Sequence, residues 1–92
     1  VILSFRHRGL ERFYEDDDKR GVNPDHAAKI STILARLDVA TSPADMDLPG
    51  LRLHQLKGGL AGHWSVTVRA NWRIIFRFAG ADAADLDYLD YH

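Results

Sequence analysis

Apolar residues recur every three or four positions before Leu51 and alternate with polar ones after it, so the chain reads as helices followed by strands. Leu10, Phe13 and Tyr14 fall at i, i+3 and i+4 and predict a short helix from about Arg8 to Asp16, which gives way to the charged loop Asp16-Asp17-Asp18-Lys19-Arg20-Gly21. Asn23 as N-cap, Pro24 at the first helical position and Asp25 in the first turn mark the start of a second helix. Its apolar stripe is Ala27, Ile30, Ile33, Leu34 and Leu37, and Thr41-Ser42-Pro43 should end it near Ala40. Val1 to Phe5 is apolar and β-branched enough for a strand ahead of both helices. Further strands are predicted at roughly Leu51 to Gln55, Trp64 to Val68, Trp72 to Phe78 and Ala84 to Tyr88. The expected architecture is α+β: an N-terminal strand, then two helices packed on one face of a twisted antiparallel sheet.

The turn around Arg69-Ala70-Asn71 fixes which residues share a face, because a slip of one residue reverses every side chain. A two-residue loop would set Val68 against Arg73 and Trp64 against Arg77, mixing charged and apolar residues on both faces. A three-residue loop sets Val68 against Trp72, Val66 against Ile74 and Trp64 against Phe76, and is preferred because it gives one continuous apolar face. The other face then carries Thr67 beside Arg73, Ser65 beside Ile75 and His63 beside Arg77, with Arg69 at the turn and Lys57 in the preceding loop. His54 joins it if Leu51 and Leu53 point to the core. With the helices on the apolar side, this polar side is expected to be uncovered and concave.

A chain of 92 residues with 46% apolar and 27% charged residues fits a single domain over 1–92. There is no cysteine, which excludes disulfides and thiolate metal sites and suits a cytoplasmic location. The apolar runs are too short to span a bilayer and no signal peptide is evident, so no membrane partner is expected. The net charge of -1 conceals an asymmetry: Leu51 to Ala79 holds Arg52, Lys57, Arg69, Arg73 and Arg77 and no acid, while all 13 acids lie elsewhere. A cationic sheet face without local counter-charge suits a polyanion.

Several segments resemble the HigB group of toxins within the RelE/ParE superfamily of toxin-antitoxin systems. They are Ser4 to Leu10 (SFRHRGL), Leu53 to Gly58 (LHQLKG), Gly62 to Val66 (GHWSV), Asn71 to Ile74 (NWRI) and Asp87 to His92 (DYLDYH), in this order across nearly the whole chain. The resemblance implies a ribosome-dependent endonuclease that cuts mRNA in the A site and is held inactive by a HigA-like helix-turn-helix antitoxin, through which DNA is bound indirectly. It implies that Lys57, Arg73, Asp90, Tyr91 and His92 serve the reaction, with His54 and Arg69 nearby. Leu89 stands where many relatives carry an acid, and the acidic triplet Asp16 to Asp18 is a second departure.

Those residues suit the chemistry. RNA carries its own nucleophile, the 2'-hydroxyl, so cleavage requires a base, an acid and positive charge at the phosphate, without a metal or other cofactor. His92 is the expected acid or base, oriented or charge-balanced by Asp90, while Lys57 and Arg73 stabilise the phosphate. Tyr91 either stacks on a base or holds the scissile phosphate. His54, His63, Arg69 and Arg77 are expected to contact RNA. Trp64, Trp72 and Tyr88 read as core, and His7 and His26 as solvated. The histidines lack paired ligand spacing, and Asp16 to Asp18 lacks the pattern of a calcium loop. Two other readings are a non-catalytic ParE-like toxin that binds DNA gyrase and a plain nucleic-acid-binding module.

Overall fold

The structure, a computed structural model, describes residues 1–91. Helix α1 (Arg8–Asp16) has the predicted bounds. It starts where His7 Nδ1 accepts the N–H of Leu10 at 3.0 Å and ends where Asp17 turns to φ 54° and donates its N–H to Phe13 O at 3.1 Å. The second helical segment begins with a single 3₁₀ turn, Pro24–His26, capped by Asn23 Oδ1 on the N–H of Asp25, and continues as α2 (Ala27–Val39). The buried residues of α2 are Ala27, Ile30, Ile33, Leu34 and Leu37, the stripe read from spacing.

Four antiparallel strands follow in the order β1 (His54–Gln55), β2 (His63–Arg69), β3 (Trp72–Ala79) and β4 (Asp82–Asp90). Both helices pack on one sheet face, where Leu10, Phe13, Ile30, Ile33, Leu37, Met46, Val66, Ile74, Phe76 and Leu86 build the core. Trp64, Trp72 and Phe78 close its edge, half-buried. The expected strand at Leu51 to Gln55 keeps only its last two residues. Arg52 at φ 52° interrupts it, leaving Leu51 O to accept the N–H of Thr67 beyond the break.

The N-terminal segment also differs from a continuous strand. It runs parallel to β4 through two isolated bridges, Ile2 to Ala83 and Phe5 to Leu86. Between them Asp85 bulges out of the β3–β4 ladder at φ 53°, so the β4 edge offers no unbroken row of partners. Ser4 fills the gap, its Oγ accepting the N–H of Asp85 at 2.9 Å.

The close approach of α1 to the loop after it depends on two glycines. A Cβ on Gly9 would fall against the backbone of Gly21, and one on Gly21 would strike the Cα of Gly9. Backbone cannot rotate away as a side chain can. Gly9→Ala should therefore destabilise the fold by about 1–3 kcal/mol, read as a lower urea midpoint at constant slope. An unchanged midpoint would show that the loop yields freely.

Candidate RNA-binding and active face

The β2–β3 register confirms the preferred face over most of its length. His63 lies opposite Arg77, Trp64 opposite Phe76, Ser65 opposite Ile75, Val66 opposite Ile74 and Thr67 opposite Arg73. At the turn it departs from both alternatives. A bulge between Thr67 and Arg69 leaves Val68 as the extra residue, and Arg69 is opposite Trp72 across a two-residue loop with Ala70 at φ 51°. The bulge keeps Val68 buried in the core and moves Arg69 onto the face of Trp72. Asp90 is the partner of Trp72 on the other side. Arg69 and Asp90 therefore share a row with Trp72, across the sheet from the face that carries Arg73.

Across that polar face one row reads His54, Ser65, Ile75 and Asp87, and the next Thr67, Arg73 and Leu89. The N–H of Tyr91 donates to Asn71 O at 2.7 Å, extending the ladder past β4. Alternation then returns Tyr91, 45% exposed, to the side of Arg73 and Leu89. Arg73 is half-buried at the rim of this face. Its Nη1 donates to Ala70 O at 2.8 Å and to Trp72 O at 3.4 Å, which pins the guanidinium over the turn. His54 and Lys57 are exposed. His92, the residue expected to move protons, lies outside the described residues.

The opposite end of the face is built differently. Arg77 lies four positions beyond Arg73, about 13 Å along a strand, and there Arg77 Nε donates to Asp85 Oδ2 at 2.6 Å. The expectation of cations without counter-charge thus needs correction. The acids are absent from the Leu51–Ala79 segment, but β4 brings Asp85 and Asp87 to its neighbours in space. Nor is the face wholly open: Leu56, Ser65, Ile75 and Ala84 are buried without belonging to the main core. Both ring nitrogens of His63 are shielded from water and have no hydrogen-bond partner among the described residues.

A family model described as the RelE-like toxin of the type II toxin-antitoxin system HigB matches residues 3–92. The chain belongs to the HigB-like toxin family. It is 42% identical over 92 residues to the Endoribonuclease HigB of Proteus vulgaris, covering all of both chains. It is also 36% identical over 97 residues to Toxin HigB-1 of Vibrio cholerae serotype O1 (strain ATCC 39315 / El Tor Inaba N16961), covering all of this chain and 98% of that protein. The HigB-like fold is therefore the toxin of a type II toxin-antitoxin pair, and an antitoxin is its partner.

In this HigB-like toxin the Arg77–Asp85 contact carries a pH signature. Hydrogen bonding from Arg77 holds the Asp85 carboxyl below its ordinary range, aided by the hydroxyl of Ser4 and opposed by partial desolvation. A carboxyl depressed on folding contributes stability in full above the unfolded carboxylate value and loses it as pH falls through the folded one. With side chains 40% and 28% exposed, the pair should be worth at most about 1 kcal/mol. Wild type should exceed Asp85→Asn by a constant margin above about pH 5 and converge with it as acid protonates the folded carboxylate. A margin unchanged at acid pH would mean the carboxylate plays no such part.

Two groups escaped the reading of the sequence. Asp85 and Asp87 lie beyond the acid-free segment, and only strand pairing reveals them as neighbours. His26 was read as solvated and is 4% exposed, its Nδ1 2.7 Å from the Tyr88 hydroxyl. Its signal was in the sequence: residues 26, 30, 33 and 37 keep the spacing of the apolar stripe. Among the described residues no helix is long and apolar enough to cross a membrane, and no cluster of three acidic or histidine side chains could hold a metal.

Proposed function

We propose that this toxin is an endoribonuclease that cuts mRNA in the ribosomal A site and acts in the cytoplasm. We further infer that its partner is a HigA-like helix-turn-helix antitoxin that tethers it indirectly to DNA. The observation that carries the reading is the shared end of the sheet, where the turn-pinned guanidinium of Arg73 lies on the same side as Tyr91. A phosphate placed there would meet a planar cationic fork and a phenol, with the C-terminal histidine next in sequence.

Cleavage would follow from atoms the RNA already holds. A base takes the proton of the 2'-hydroxyl, the 2'-oxygen bonds to phosphorus, the P–O5' bond breaks, and an acid protonates the departing 5'-oxygen. His92 supplies one of these proton transfers, with Asp90 setting its charge or tautomer. Arg73 and Lys57 offset the charge that grows on the non-bridging oxygens. His54, on the row adjoining Arg73, contacts the flanking chain, and the exposed Arg69, on the Trp72 side of the turn, meets RNA only where it wraps the end of the sheet. Arg77, at the far end, serves longer RNA segments with its Nε edge already committed to Asp85, while the shielded ring of His63 supports that end from within and does not reach RNA.

Mapping mRNA 5' ends after brief expression in cells tests this. Cuts inside translated codons, leaving a 5'-hydroxyl and a 2',3'-cyclic phosphate, are expected. Intact mRNA together with poisoned gyrase would replace this reading with that of a ParE-like toxin.

A further inference from the structure

We propose that His26, which is remote from the RNA-facing side of the sheet, is a positioning residue that fixes the Asp90-Tyr91 end of the chain through Tyr88 and Trp72, an inference that rests on the endonuclease reading above. His26 sits on the 3₁₀ turn before α2, 4% exposed, with Nδ1 2.7 Å from the Tyr88 hydroxyl. Asn23 donates its N–H to the same phenolic oxygen at 3.4 Å. The phenolic oxygen thus accepts the Asn23 N–H and shares a hydrogen bond with His26 Nδ1 whose direction follows the imidazole tautomer. Trp72 stacks on the Tyr88 ring at 4.7 Å and 29°, and the His26 ring meets Trp72 edge-on at 5.6 Å. His7, the cap of α1, also packs against the Tyr88 ring in a T-shaped contact at 5.4 Å. Residues from three separate elements thus hold one tyrosine.

What that tyrosine controls follows from the register. Tyr88 lies opposite Ile74, Leu89 opposite Arg73 and Asp90 opposite Trp72, and the N–H of Tyr91 on Asn71 O extends this ladder. Trp72 is at once the stacking partner of Tyr88 and the cross-strand partner of Asp90. A shift of the phenol therefore moves both residues that set the course of the chain end. Last residues fray unless tied down, and here the tie lies two positions upstream of Asp90. Packing alone would favour an aliphatic side chain at position 26, in line with Ile30, Ile33 and Leu37, because burying a polar ring is costly unless it is bonded. The imidazole instead aims its nitrogen at Tyr88.

Single-turnover cleavage of mRNA on programmed ribosomes, with melting temperatures measured in parallel, tests the role. His26→Leu keeps the bulk and removes the polar partner, so it should slow the cleavage step by about ten- to a hundredfold and change the half-saturating ribosome concentration by less than about twofold. His26→Asn, whose amide can take the place of Nδ1, should recover the rate to within about threefold of wild type. Tyr88→Phe keeps the ring and its stack and loses only the hydroxyl. It should match His26→Leu, and the double variant should be no slower than either. If His26→Leu fails to fold, Tyr88→Phe carries the test alone. Wild-type rates in Tyr88→Phe, or equal impairment of the Leu and Asn variants, would overturn the positioning role and leave the endonuclease standing. A wild-type protein that cuts nothing would remove both.

Discussion

Arg73→Ala is expected to slow mRNA cleavage on ribosomes by about a hundred- to a thousandfold, the effect of losing about 2.7–4 kcal/mol of transition-state stabilisation from one preorganised donor. Preorganisation is what the structure adds to the charge. Nη1 is anchored on the carbonyls of Ala70 and Trp72, so the guanidinium plane is set before RNA arrives and its remaining N–H groups present a fork. Alanine would leave the Ala70 carbonyl at an exposed turn, where water can replace the lost bond, so the melting temperature should fall little. Arg73→Lys separates charge from geometry. An ammonium keeps the charge and cannot both hold the turn and grip two phosphate oxygens, so it should recover less than about a tenth of the lost rate. Full recovery by lysine would mean that Arg73 acts as a point charge. Undiminished cleavage by Arg73→Ala would remove it from the site.

How far the sequence led depended on whether local spacing or tertiary pairing decided each element. Helix α1 and the buried stripe of α2 were legible because helical periodicity and capping are local. The β2–β3 register was legible wherever the apolar alternation ran unbroken, from His63 to Thr67. It failed at Arg69 because a bulge costs one residue of alternation while burying the same valine, and apolar patterning does not distinguish the two arrangements. The N-terminal segment and Leu51 to Gln55 have the composition of strands, yet each needs a straight partner edge. Asp85, at positive φ, denies it to the first, and Arg52, also at positive φ, breaks the second from within.

The electrostatics of the face were half legible for a related reason. A segment without acids is a statement about the chain, whereas counter-charge is a statement about space, and β4 lies beside β3 with Asp85 and Asp87. The effect is to divide the face. The Arg77 end is a structural ion pair, whereas Arg73, opposite Leu89, turns its guanidinium to the carbonyls of the turn. Leu89 thus explains physically how this chain leaves Arg73 without an acid as its cross-strand partner.

His92→Ala should reduce cleavage by about a hundred- to ten-thousandfold, the contribution of positioned acid-base catalysis, and leave ribosome association within about threefold, since one near-neutral imidazole adds little to binding a polyanion. Equal losses of cleavage and association would turn His92 into a binding residue. The pH dependence of the single-turnover rate assigns its role further. An imidazole acting as base must be neutral, so the wild-type rate would rise with pH through its titration; one acting as acid must be charged, and the rate would fall over the same range. That inflection should vanish in His92→Ala whichever role it reports. A variant that retained it would place the titrating group elsewhere, with His54, exposed on the row beside Arg73, as the next to replace.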